Sequence, residues 1–105
     1  MAILERLSFK VINDQWDAVM AQEKEWEALE NKIGGFPMKQ RYRAYSSSES
    51  IDTFVFEREW ESIAAYEAAY MRLFAMAEVK ALADAGQPVK ADTHIEFYMT
   101  LDTNG

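Results

Sequence analysis

The stretch 51–74 joins a strand pattern to a helix pattern, and it limits the folds that this chain can adopt. Residues 51–60, Ile-Asp-Thr-Phe-Val-Phe-Glu-Arg-Glu-Trp, have apolar side chains on both sides of an extended segment. A strand with two apolar faces needs a cover on each face. A chain of 105 residues is too short to supply both covers. We therefore expect a homodimer, in which a second copy of the chain covers one face.

Charge and residue types exclude several functions. The chain has 11 Lys and Arg against 18 Asp and Glu, a net charge of -7, so it lacks the basic surface that nucleic acids require. Cysteine is absent and there is one histidine, which argues against disulfides, a zinc site and a cysteine nucleophile. No stretch approaches the roughly 20 apolar residues of a membrane span. We expect a cytoplasmic protein of one domain, residues 1–105, with no cofactor.

Alternating and helical periodicities predict six elements and a tail. Asn13 and Asp14 are expected to cap the first helix, Gly34 and Gly35 to end it, and Ser62 to cap the second. The predicted strands are 3–12, 38–46, 51–60 and 92–101; the predicted helices are 14–32 and 62–85, with a bend near 75–78; residues 102–105 form a frayed polar tail.

The order strand, helix, strand, strand, helix, strand is typical of one α+β fold. Right-handed crossovers place both helices on one face of an antiparallel sheet, with the strands in the spatial order 4-1-3-2. The sequence therefore predicts a ferredoxin-like βαββαβ domain with a four-stranded sheet.

The alternation within each strand divides the sheet into a helix-covered face and a helix-free face. The expected helix-covered residues are Leu7, Phe9, Val11, Tyr42, Ala44, Phe54, Phe56, Ile95, Phe97 and Met99. The expected helix-free residues are Arg6, Ser8, Lys10, Arg41, Arg43, Tyr45, Thr53, Val55, Glu57, Glu59, His94, Glu96 and Tyr98. Acidic and basic strands then alternate across the helix-free face, which favours cross-strand ion pairs.

Residues 54–70, Phe-Val-Phe-Glu-Arg-Glu-Trp-Glu-Ser-Ile-Ala-Ala-Tyr-Glu-Ala-Ala-Tyr, resemble the signature of the NIPSNAP-like branch of the dimeric α/β-barrel superfamily. Gly-Gly-Phe-Pro at 34–37 and Ile-Glu-Phe-Tyr at 95–98 stand where that branch has its turn after the first helix and its last strand. After Phe74 the sequence departs from the family, since Ala-Met-Ala-Glu-Val replaces the frequent Asp-Pro-Glu-aromatic break.

The resemblance implies a homodimer whose two sheets form a barrel with the helices outside. Relatives include cofactor-free monooxygenases related to antibiotic biosynthesis, which act on polycyclic aromatic substrates, small-molecule lyases and isomerases, and haem-binding branches. Fold similarity alone does not choose among these activities.

Two residues are candidates for proton transfer. His94 lies two residues from Glu96 on one strand face, and a histidine beside a carboxylate can act as a general base near neutral pH. Its alternative role is a hydrogen-bonded structural histidine. Glu57 matches part of an acidic pair of the family and can accept a proton; its alternative role is an ion pair with Arg41 or Arg43.

The candidate ligand-binding residues are Arg6, Arg43, Tyr45, Glu96 and Tyr98, which are suited to orient an anionic or phenolic molecule. Two functions follow. The first is a cofactor-independent enzyme, of monooxygenase, isomerase or lyase type, or a binder of a small aromatic or carboxylated molecule. The second is a non-catalytic interaction or accessory module whose charged barrel interior is filled by its own ion pairs.

Overall fold

One antiparallel sheet carries three helices on a single face in the computed structural model, which describes residues 2–101. The strands are β1 (Ile3–Val11), β2 (Gln40–Arg43), β3 (Thr53–Trp60) and β4 (Lys90–Met99); the helices are α1 (Trp16–Ile33), α2 (Ile63–Phe74) and α3 (Ala77–Gly86). Short 3-10 turns at Ile12–Asp14 and Gln87–Val89 precede α1 and β4. The spatial order β2-β3-β1-β4 is the predicted order counted from the other edge, so the ferredoxin-like fold is confirmed.

Most predicted helix ends agree with the structure. Gly34 and Gly35 have φ angles of 79° and 86°, a conformation that favours glycine, directly after α1. The hydroxyl of Ser62 accepts a hydrogen bond from the backbone N–H of Ala65 at 3.1 Å and caps α2. The predicted bend lies between the end of α2 and the start of α3 at Ala77.

The predicted cap of α1 is wrong. Asn13 and Asp14 both have positive φ angles, 51° and 57°, and form the turn that reverses the chain after β1. Residue Gln15 occupies the cap position, with no side-chain hydrogen bond. Asparagine and aspartate adopt the left-handed conformation more readily than other non-glycine residues. Asn13 and Asp14 therefore form the turn and do not cap the helix.

The core lies between the central strands and the helices. The rings of Phe9 on β1 and Phe54 on β3 stack with centroids 4.8 Å apart. The buried core residues are Phe9, Val11, Val19, Phe54 and Phe56, with Leu7, Trp16 and Val89 packed against them. This cluster fixes which face of β1 and β3 meets the helices, as predicted.

The predicted orientation of β2 is wrong. Arg41 pairs with Phe56 and Arg43 with Phe54 across the ladder, so both arginines lie on the helix-covered face, whereas Tyr42 lies on the helix-free face. The Arg43 guanidinium stacks over the ring of Trp16 in α1, 4.4 Å from its centroid. The aliphatic parts of the two arginine side chains cover apolar surface, and their guanidinium groups contact residues of α1. Charged residues therefore occupy positions that were expected to be apolar.

The apolar side of β4 is only partly covered. Ile95, Phe97 and Met99 point to the helix-covered face, as predicted, but remain 51%, 41% and 62% exposed. The helices cover this edge strand in part: the ring of Tyr66 in α2 lies 4.9 Å from the ring of Phe97. Residues 2–101 form a slab only 17 Å thin in its shortest dimension.

Two further observations bear on the expectations from sequence. None of the helices in residues 2–101 has the length and apolarity needed to cross a membrane. The expected polar tail, 102–105, lies outside the described residues.

Candidate ligand-binding site

A cavity with a volume of about 490 Å³ lies between the sheet and the helices. Its lining residues are Leu7, Phe9, Glu23, Trp26, Glu30, Lys39, Phe56, Tyr70, Leu73, Phe74, Ala83, Gly86, Gln87, Lys90 and Thr93. The exposed members of this set, Phe74, Ala83, Gln87 and Thr93, mark its mouth. We call this space the sheet–helix cavity; its volume is in the range of small-molecule sites.

The wall of the sheet–helix cavity combines rings with ammonium groups. The Lys39 Nζ lies 4.3 Å from the ring centroid of Phe56, and the Lys90 Nζ lies 4.7 Å from that of Phe9. Both distances are short enough for cation–π attraction. The cavity therefore has an apolar body and a charged end.

An alternating series of buried acids and bases runs below α1, and we call it the buried charge chain. Its members, in spatial order, are Glu5, Arg58, Glu30, Lys39, Glu23 and Arg41. Arg58 Nη2 donates to Glu30 Oε2 at 3.0 Å. Lys39 Nζ lies 3.5 Å from the same Glu30 oxygen and donates to Glu23 Oε1 at 3.2 Å.

Arg41 ends the series. Its Nε donates to Glu23 Oε1 at 3.1 Å, and its Nη2 lies 3.6 Å from Glu27 Oε2 at the surface. Each buried charge in the chain thus has a neighbour of opposite sign, which offsets the large cost of removing charges from water.

Arg58 occupies the centre of an aromatic cage. Its guanidinium carbon lies 5.1 Å from the ring centroids of Phe36 and Phe56 and 5.9 Å from that of Trp60. Its Nε is 3.6 Å from Glu5 Oε1, too far for a hydrogen bond, and Nε and Nη1 have no hydrogen-bond partner among the described residues. The cage supplies part of the stabilisation that hydrogen bonds do not.

The carboxylate of Glu5 is held by two ring donors. Trp60 Nε1 donates to Glu5 Oε1 at 2.8 Å, and the Tyr70 hydroxyl donates to Glu5 Oε2 at 2.9 Å. Burial raises the pKa of Tyr70 far above its usual value of 10, so this phenol stays protonated at ordinary pH. Tyr70 also lines the sheet–helix cavity, so it connects the buried charge chain to the space where a ligand fits.

Lys90, the first residue of β4, differs from the other buried cations. It lines the sheet–helix cavity and forms no ion pair within residues 2–101. Burial lowers the pKa of Lys90; attraction by Glu23 opposes this effect, and repulsion by Lys39 adds to it.

Four predicted site residues meet on the helix-free face. Arg6 Nε donates to Glu57 Oε2 at 2.6 Å, and the Tyr98 hydroxyl donates to Glu96 Oε2 at 2.9 Å. The Arg6 guanidinium lies 4.7 Å from the Tyr98 ring centroid. The hydrogen bond to Glu96 raises the pKa of Tyr98. These groups satisfy one another.

His94 lies on the same face, opposite Ser8 on β1. It lines a second, smaller cavity of about 220 Å³ with Ser8, Phe9, Lys10, Glu49, Thr53 and Asp92. Asp92 has a φ of 53°, where the register of β4 against β1 shifts. No group of three His, Asp or Glu side chains within residues 2–101 is arranged to hold a metal ion.

The structure does not bring Arg43 and Tyr45 to the other predicted residues. Arg43 lies on the opposite face, where its Nε donates to the backbone oxygen of Ile51 at 2.9 Å. Tyr45 follows β2 and is 90% exposed.

Sequence reasoning missed the residues of the sheet–helix cavity, although a signal for some of them existed. Glu5 and Arg58 stand at strand positions whose neighbours two residues away are apolar, and they pair with each other across β1 and β3. Glu23 and Glu30 continue the buried stripe of α1 that contains Val19. A charge inside an apolar stripe indicates a buried ion pair.

Solved structures of other proteins have the same fold. A NIPSNAP-like domain protein of Burkholderia xenovorans has a TM-score of 0.81 at 12% identity, with 97% of this chain and 87% of that chain covered. A NIPSNAP family protein of Agrobacterium tumefaciens has a TM-score of 0.79 at 10% identity, with 98% and 96% covered. The chain therefore has the fold of NIPSNAP-domain proteins. The resemblance inferred from the sequence is confirmed at the level of the fold.

A third solved structure with this fold is SnoaB, a cofactor-independent oxygenase from Streptomyces nogalater. Its TM-score is 0.70 at 14% identity, with 97% of this chain and 95% of that chain covered. No protein-family model matches the sequence, and no curated protein sequence matches it.

Replacing Glu30 tests the buried charge chain. Glu30→Gln removes the negative charge between Arg58 and Lys39, and we expect the free energy of unfolding to fall by roughly 3 kcal/mol because each of these buried cations loses one of its two carboxylate neighbours. Glu27→Gln, three residues earlier in α1, is the matched control; its side chain is 48% exposed and a loss below about 1 kcal/mol is expected. Urea unfolding at one fixed protein concentration measures both. Equal losses would contradict the account.

Proposed function

We propose that this protein binds a small, ring-containing molecule in the sheet–helix cavity. The observation that supports this function is a cavity of about 490 Å³ with an aromatic wall and charged groups at one end. Pockets that bind small molecules combine a mostly apolar lining with a few polar groups that set orientation. On this lining, hydrogen bonds to Glu5 and Glu23 hold the hydroxyl of Tyr70 and the ammonium of Lys39 in place.

We further propose that the protein is a homodimer joined through its helix-free face. The thin slab shape and the half-exposed rings of Tyr42 and Tyr98 on that face support this assembly, since a second sheet would bury them. The resemblance of residues 54–70 to the NIPSNAP-like branch of the dimeric α/β-barrel superfamily supports a geometry in which two sheets face each other.

A more specific proposal is that the protein is an enzyme. The similarity of the fold to a cofactor-independent oxygenase supports an oxygenase that acts on the ligand of the sheet–helix cavity. The alternative, a non-catalytic accessory module, draws support from the helix-free face, where Arg6, Glu57, Glu96 and Tyr98 already satisfy one another.

A bulky residue at the cavity mouth tests ligand binding. Ala83→Trp places an indole at the mouth, and we expect the affinity for the neutral fluorescent probe N-phenyl-1-naphthylamine to fall at least about tenfold because the apolar surface is no longer accessible. Ala81→Trp, on the same helix but outside the lining, is the matched control and keeps wild-type affinity. Fluorescence titration measures both variants. Equal binding by the two would exclude the cavity as the probe site.

A charge on the helix-free face tests the homodimer. Val55→Asp puts a carboxylate in the middle of the proposed contact, and we expect the dimer found for the wild type at micromolar concentration to dissociate into folded monomers. Ile51→Asp, in the exposed loop before β3, is the control and stays dimeric. Sedimentation equilibrium determines the mass of each. A monomeric wild type would refute the proposal.

The roles of His94 and Glu57 in proton transfer stay a prediction. For a compound that the protein turns over, His94→Ala or Glu57→Gln lowers kcat by about a hundredfold if these side chains carry the proton, because general acid–base groups contribute factors of that size. The pH profile of kcat would change with the loss of His94. Unchanged kinetics in both variants would exclude these two side chains as the proton carriers.

A further inference from the structure

We infer that the ligand of the sheet–helix cavity is an anion and that Lys90 is the residue that binds its negative group. The inference rests on the proposed function and names the chemical class of the ligand. Its basis is the balance of charge around the cavity, the space around the Lys90 ammonium, and the unpaired polar atoms at that place.

The ion pairs around the sheet–helix cavity do not include Lys90 in the described part of the chain. Three carboxylates in the buried charge chain, those of Glu5, Glu23 and Glu30, face three cations at distances of 3.0 to 3.6 Å. The carboxylates are thereby engaged, whereas Lys90 forms no ion pair within residues 2–101. A protein with a net charge of -7 thus has, on a cavity wall, a positive group without an ion-pair partner in residues 2–101. An anionic ligand supplies the missing counterion.

The Lys90 ammonium lies beside Gly86, where the absence of a side chain leaves space. A Cβ built on Gly86 would lie 3.4 Å from Lys90 Nζ and 3.3 Å from Gln22 Oε1, so both polar atoms converge on the bare backbone of α3. Gln22 is oriented by its own amide, whose Nε2 donates to the backbone oxygen of Ala85 at 2.9 Å. Its Oε1 is buried without a hydrogen-bond partner among the described residues.

These unpaired atoms mark an incomplete polar site. An ammonium has three donor hydrogens, so Lys90 can bind Gln22 Oε1 with one of them and a ligand oxygen with another. The groups that face Lys90 are Glu23 from α1, Lys39 from the segment before β2, and the ring of Phe9 on β1. Glu23 is already bound by Lys39 and Arg41, which leaves Lys90 to the ligand.

The protonation of Lys90 links ligand binding to pH. Burial lowers the pKa of Lys90 below the 10.5 of an ordinary lysine in the free protein, and a bound anion favours the charged form. The affinity for a permanently ionised ligand therefore falls as the pH rises through the lowered pKa of Lys90. A neutral ligand of the same shape shows no such dependence.

Two fluorescent probes that differ by one sulfonate test the inference. N-phenyl-1-naphthylamine is neutral, and 8-anilinonaphthalene-1-sulfonate has the same rings and a permanent negative charge. We expect the wild type to bind the sulfonate at least about tenfold more tightly at pH 7, the effect of one charge-assisted hydrogen bond. In Lys90→Met this preference disappears while binding of the neutral probe persists; in Lys90→Arg it is retained.

Controls separate the possible failures. Lys80→Met removes an exposed lysine of α3, and this variant keeps the preference for the sulfonate probe. Ala83→Trp lowers the affinity for both probes if they occupy the cavity. Equal affinity of the wild type for the two probes, or a preference that survives Lys90→Met, would overturn the inference and leave the proposed function intact. Failure of the wild type to bind the neutral probe would overturn the proposed function itself. Circular dichroism verifies that each variant is folded.

Discussion

The buried charge chain below α1 is the constraint on which the rest of the structure depends. It joins Glu5 and Arg58 on the central strands to Glu30 on the helix, so the sheet and α1 are connected by ion pairs as well as by apolar contact. Buried ion pairs stabilise little in net terms, but losing one partner leaves a charge without water or counterion. The spacing between sheet and helix, and with it the cavity, is thereby restricted to arrangements that keep the pairs together.

The sequence was sufficient for the topology and insufficient for the site. Alternation in β1 and β3, the glycine pair after α1 and the Ser62 cap are local signals, and each corresponds to the structure. The face of β2 was predicted wrongly because Tyr42 and its flanking arginines alternate equally well either way, and only pairing with β3 and partners on α1 decide the orientation. Lys90 and Gln22 come together beside Gly86 because α1 packs against α3, a contact that no local sequence pattern indicates.

The two faces of the sheet have different chemistry. On the helix-free face, charged and phenolic groups pair with one another, as expected for a surface that a second sheet can cover. On the helix-covered face, the Lys90 ammonium has no ion pair and Gln22 Oε1 no hydrogen bond within residues 2–101, and the ammonium lies beside an aromatic wall. We therefore propose that assembly and ligand binding take place on opposite sides of one sheet. The solved NIPSNAP-domain structures share this fold, and their fold alone does not specify a ligand.

A crystal structure of the protein with 8-anilinonaphthalene-1-sulfonate tests the central claim most directly. The account predicts the rings of the probe between sheet and helices, against Phe9 and Phe56, with a sulfonate oxygen within hydrogen-bond distance of Lys90 Nζ. A probe bound on the helix-free face or on the exposed side of β4, with the sheet–helix cavity empty, would contradict it.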